Sequence, residues 1–83
     1  MEVFLIKQPP KRADWDTYDM AVVVDNSEEE ARTIHPDGRR DRIPRPHNRD
    51  WTNDPNEVTV EYIGKASAHY VDPEVVCASF RAG

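Results

Sequence analysis

The chain reads as an α+β domain, a four-stranded and mostly antiparallel sheet with one short helix packed on one face, in the order β-β-α-loop-β-β. Three observations predict this. Two uninterrupted apolar runs stand at residues 3–6 and 20–24, a helix start is signed by Ser27 with Glu30 three residues on, and residues 57–63 alternate between apolar and polar.

The first strand is Val3, Phe4, Leu5 and Ile6, ended by Lys7, Gln8 and the Pro9-Pro10 breaker. Residues 9–17 follow as a polar loop. Met20, Ala21, Val22, Val23 and Val24 then form a run rich in β-branched residues. Apolar residues on both sides of a strand ask for cover on both faces, so each run is expected to be buried from two sides, the second at the centre of the sheet.

Ser27 is a natural N-cap, Glu30 completes a capping box, and Glu28 and Glu29 sit favourably at the positive end of the helix dipole. The helix is expected to begin at about Glu28. Pro36 restricts His35 away from the α region, and Asp37-Gly38 is turn chemistry, so it should end near Ile34. Ala31 and Ile34, three apart, share the face that must lie on the sheet. In the third strand Val58, Val60 and Tyr62 point one way and Thr59, Glu61 and Ile63 the other, with Gly64 ending it. The last strand spans residues 75–80, introduced by Asp72-Pro73.

One small domain, residues 1–83, accommodates all of this, and its size leaves room for self-association. A hydrophobic content of 37% with seven prolines fits a folded domain with substantial loops. The single cysteine, Cys77, excludes an internal disulfide and reads as an inert core thiol in an apolar strand. The apolar run at the start is too short for a signal peptide or a membrane span, which leads to the expectation of a cytoplasmic protein with no membrane partner.

The compositional outlier is the long Arg/Pro-rich loop of residues 36–56. Within residues 36–50, Arg39, Arg40, Arg42, Arg45 and Arg49 face Asp37, Asp41 and Asp50, a local charge of +2 on a chain whose net charge is −5. A loop of this length inside a compact domain is usually functional or disordered. Arginine's planar fork suits carboxylate and phosphate alike, and Trp51 directly after it is a candidate anchor for a partner. The alternative is structural: the aspartates neutralise the arginines, Pro44 and Pro46 stiffen the segment, and Ile43 and Trp51 tuck into the core. A second candidate surface is Asp14, Trp15, Asp16, Tyr18 and Asp19, an acidic and aromatic patch that suits a partner protein or imitates a row of nucleic-acid phosphates. Here too the aromatics can instead close one end of the core.

Catalytic and metal chemistry find little support. His35, His47, His69 and Cys77 lack the short repeated spacing of a zinc site, and Gly38, Gly64 and Gly83 are isolated, so there is no phosphate-cradling loop. No catalytic residue, metal or cofactor is expected.

The segments WDTYDMAVVVDNSEEEARTIHP, VTVEYIGKA and VVCASFRAG resemble a group of small phage and prophage-encoded proteins. Members pair a Tyr-Asp and valine strand, a glutamate-rich helix and a His-Pro stop with a terminal Ala-Ser-Phe, small residue, Gly segment. The likeness skips the arginine-rich loop. It implies phage origin, a common fold and the cytoplasm of a bacterial host, and it supplies no catalytic residues. Two classes of function follow as expectations. The first is a non-enzymatic accessory protein that engages or inhibits a host protein or a bacterial defence complex, in the manner of an anti-CRISPR. The second is a nucleic-acid-associated regulator using the five arginines, for which a pI near 5.0 allows only weak binding. An enzyme with an unfamiliar site ranks third.

Overall fold

A computed structural model describes residues 1–10, 16–39 and 41–82. Four strands, β1 (Glu2–Lys7), β2 (Thr17–Asp25), β3 (Thr59–Lys65) and β4 (Glu74–Arg81), form one sheet in the order β3-β1-β2-β4. Every neighbouring pair is antiparallel. One helix, α1 (Glu28–Ala31), follows β2, and a single 3₁₀ turn, Pro55–Glu57, leads into β3. This is the expected small α+β arrangement, with both apolar runs on the two central strands.

The period of two sorts the strands. Phe4 and Ile6 on β1 and Ala21 and Val23 on β2 face a core completed by Ala31, Ile34, Ile43, Trp51 and Val58. Ala31 and Ile34 thus share the buried side, as their spacing requires. Both edges are irregular: a bulge interrupts β1 against β3 between Val3 and Phe4, and β2 against β4 shifts register at Tyr18/Met20 and at Val22/Val23.

Four expectations need correction. α1 stops at Ala31 rather than near Ile34, because the Thr33 and Ile34 amides reach back only three residues, to the Glu30 and Ala31 carbonyls, and tighten the last turn. The central strands are covered fully on one face and only in part on the other, where Val24 is buried, Val3, Leu5 and Val22 are half-buried and Met20 is exposed. Cys77 is exposed, since β4 is an edge strand and its thiol shares the partly covered face with Val22. Thr17, Tyr18 and Asp19 belong to β2 rather than to the loop before it, because Thr17 and Tyr18 pair with Arg81 and Phe80.

Candidate functional site

β2 ends on an acid for a structural reason. Continuing the inward alternation of Ala21 and Val23 places Asp25 in the interior, where it is fully buried. A lone buried carboxylate is costly, so it needs a partner. Arg42 supplies it: its Nη1 donates to Asp25 Oδ2 at 3.0 Å, to the Glu30 carbonyl at 2.8 Å and to Thr33 Oγ1 at 2.8 Å, while the Asn26 amide donates to Asp25 Oδ1 at 2.7 Å. The Ile43 amide then bonds the Thr33 carbonyl at 2.8 Å, and the Ile43 side chain enters the core. The first half of the loop is thereby tied to β2 and α1.

The second half hangs on His35, which is also fully buried. The Asp37 amide donates to Nδ1 at 3.1 Å. Nδ1 is therefore the acceptor, and the proton sits on Nε2, which faces Asn48 Oδ1 at 2.8 Å and Asp50 Oδ1 at 2.9 Å. The ring packs edge-on against Tyr18, with centroids 5.9 Å apart, and lies 6.5 Å from the Trp51 ring. With both nitrogens held by protein groups, the imidazole organises the loop and offers no free base to a substrate.

Cross-bracing extends from there. The Tyr18 amide donates to the Asp50 carbonyl at 3.0 Å. Arg45 and Asn53 bond reciprocally, the Arg45 amide to Asn53 Oδ1 at 3.0 Å and Asn53 Nδ2 to the Arg45 carbonyl at 2.9 Å. Asn48 Nδ2 donates to Asn53 Oδ1 at 2.7 Å, and Arg45 Nη2 to Asp37 Oδ2. Gly38, at φ +82°, makes the turn that a side chain would strain. His47 takes the left-handed region without being glycine, at φ 58°.

Electrostatics follow from this packing. Burial pushes the Tyr18 hydroxyl above its ordinary pKa, with the Asp50 and Asp37 carboxylates adding to the rise and Arg45 opposing it. Burial alone would raise Asp37 as well. The Arg39 amide, the Arg45 hydrogen bond, the adjacent His35 ring and the charge of Arg45 together outweigh it and hold the carboxyl below the usual range. Beside these groups lies a polar cleft of about 400 Å³ lined by Asp37, Arg39, Asp41, Arg45, Pro46, His47, Asn48 and Asp50.

The structure thus separates the residues singled out from the sequence. Arg42 and Arg45 are spent on Asp25 and Asp37. Arg39 lies 3.9 Å from Asp37 with three quarters of its side chain exposed, and Arg49 and His47 are exposed too. Trp51 is 4% exposed and belongs to the core, as Ile43 does. Of the acidic, aromatic patch, Asp16 is exposed, while Tyr18 and Asp19 are half-buried and Tyr18 joins the His35 cluster. Asp14, Trp15 and Arg40 lie outside the described residues.

Sequence reasoning missed three organisers, His35, Asp25 and Asn53. His35 stood as a neighbour of the helix-stopping proline and as a metal-capable side chain without the spacing of a zinc site. Asp25 was findable, because an acid two residues beyond Val23 in a strand with an inward alternation must be buried. Nothing local marks Asn53. Among the described residues no cluster of three His, Cys, Asp or Glu converges as a metal centre needs, and no helix is long and apolar enough to cross a membrane. Comparison with known proteins returned no match to a family model, to a curated protein or to a solved structure.

Proposed function

We propose that the chain is a non-enzymatic accessory protein of phage origin that engages, and by engaging inhibits, a host protein such as a bacterial defence complex, using the surface of residues 37–50. One observation supports this above the others: the described residues of the loop form no strand or helix, yet are braced from within and still leave Arg39, His47 and Arg49 facing solvent. Internal hydrogen bonds meet the ordering cost before a partner arrives, which is what preorganised binding loops do. The phage and host part of the reading leans on the resemblance of the strand, helix and terminal motifs.

A protein partner suits the surface better than a nucleic acid. Three carboxylates, Asp37, Asp41 and Asp50, line the same cleft as Arg39 and Arg45, so the field there is mixed in sign. Phosphate binders gain affinity from uncompensated cations, and two of the described arginines are already neutralised.

Capture from a bacterial lysate tests the reading. The immobilised wild-type chain is expected to retain a protein in stoichiometric amount, and Arg39→Glu with Arg49→Glu to lose it without a change in melting temperature. Lys65→Glu, on the far edge strand β3, should retain it. Absence of any stoichiometric protein under several conditions would sink the proposal. DNA or RNA binding that falls steeply with salt and depends on the arginines would replace it with the nucleic-acid reading.

A further inference from the structure

The two edges of the sheet are unlike. On its outward side β3 carries Thr59 and Glu61, with Lys65 at its end, charges of the kind that discourage edge-to-edge pairing. β4 carries none between its ends: Glu74 and Arg81 bracket Val75, Val76, Cys77, Ala78, Ser79 and Phe80. Every residue of β4 except Val75 is exposed. It is an uncharged edge eight residues long, with charges of opposite sign at its two ends.

Its register against β2 assigns each side chain to a face. Val75, Ala78 and Phe80 pair with Val23, Ala21 and Tyr18 and so lie on the helix side, the Phe80 ring 4.9 Å from that of Tyr18. Glu74, Cys77, Ser79 and Arg81 pair with Val24, Val22, Met20 and Thr17 and lie on the opposite face. Val76 is the extra residue of the bulge, because Cys77 opposes Val22 while Val75 opposes Val23.

We propose that β4 pairs antiparallel with β4 of a second copy about a two-fold axis normal to the sheet at Ala78, joining two four-stranded sheets into one of eight. Such an axis keeps each face with itself, so a residue can oppose only one from its own face. Among the registers that meet it, the one centred on Ala78 pairs every residue of β4 except the bulged Val76. Ala78 opposes Ala78 of the second copy, Cys77 opposes Ser79, Val75 opposes Phe80 with Val76 bulged out as it is against β2, and Glu74 opposes Arg81. The two-fold repeats each heterologous pair, so two Glu-Arg pairs close the ends of the ladder. Moving the axis to Cys77 would bring Pro73, which has no amide proton, opposite Phe80, and moving it to Ser79 would leave Glu74 with no partner on β4. The complementarity of charge and size is therefore to this strand itself, and a second copy is the occupant it fits. The self-pairing uses the backbone edge of β4, and Arg39 and Asp41 of the loop lie across a cavity from Val75 near the start of that strand.

Sedimentation equilibrium of the full chain tests the proposal. A single ladder is a small interface, so a dissociation constant on the order of micromolar is expected, with a species of twice the 9.6 kDa monomer dominant at about 0.1 mM. Glu74→Arg places like charges opposite each other at both ends and should weaken the dimer about tenfold. Combining it with Arg81→Glu should restore the dimer, which a folding defect would not.

Ser79→Cys tests the register. The introduced thiol faces Cys77 of the second copy at a Cα separation of about 4.5–5.5 Å, within disulfide reach, whereas the two native Cys77 residues stand diagonally at about 7–8 Å. Mild oxidation should link Ser79→Cys into a covalent dimer and leave both the wild type and Ser79→Cys with Cys77→Ala unlinked. A chain that stays monomeric at the higher concentration, a double charge swap that fails to restore pairing, or cross-linking that ignores the cysteine positions would each overturn the proposal.

Discussion

A histidine buried as completely as His35 must have both ring nitrogens engaged, since an unpaired buried polar atom costs about 1–3 kcal/mol. The Asp37 amide on one side and Asn48 with Asp50 on the other meet that demand, and in meeting it they fix where the loop leaves α1 and where it returns to β2. Tyr18 inherits the consequence. Its hydroxyl is pushed up by burial and by the Asp50 and Asp37 carboxylates, so the folded state holds the phenol proton more tightly than the unfolded chain does. A raised folded pKa gives a contribution to stability that is whole below the unfolded value near 10 and lost as the pH climbs through the folded one. Denaturant unfolding of the wild type should therefore weaken as the pH rises above about 10, and Tyr18→Phe should flatten that decline. An unchanged alkaline profile in Tyr18→Phe would show that another group causes it. Asp37 runs the other way. Its depressed folded pKa stabilises the fold above the ordinary carboxylate range and ceases to do so as the pH falls below it.

α1 has only four helical residues, too few to hold themselves, and the Ser27 cap carries a correspondingly large share of its definition. Ser27 Oγ accepts the Glu30 amide at 3.2 Å, and Glu28 pairs with Arg32 one turn on at 3.2 Å. Ser27→Ala is expected to cost about 1 kcal/mol in equilibrium unfolding. A cost near zero would mean that packing of Ala31 and Ile34 alone sets the helix start. The elements were legible in the sequence to the degree that local chemistry decides them. Apolar runs of β-branched residues marked β1 and β2, and the Ser27 to Glu30 spacing marked the cap. The end of α1 was less so, because its last turn is tightened by bonds three residues back. Equally, an uninterrupted run such as Val3 to Ile6 shows that a strand is apolar on two sides, but not whether the same chain covers both.

At the scale of the whole molecule, two layers divide the work. The sheet with α1 buries Phe4, Ile6, Ala21 and Val23, and the segment from Pro36 onward closes that core with Ile43, Trp51 and Val58 while holding its charged residues outside. The composition of this segment could be read from the sequence, and its sorting could not. Which arginines are spent and which are displayed depends on contacts 8 to 17 residues apart, such as Arg45 with Asp37 and Arg42 with Asp25. Around His35, residues 37–39 and 41–53 are ordered in the free protein. Amide hydrogen exchange reads this directly, through the Ile43 amide on the Thr33 carbonyl and the Arg45 amide on Asn53. In the wild type both should exchange far more slowly than in an unstructured peptide, and in His35→Ala both should lose protection while the amides of β1 and β2 keep theirs. Loop amides that exchange at peptide rates in the wild type would contradict the account.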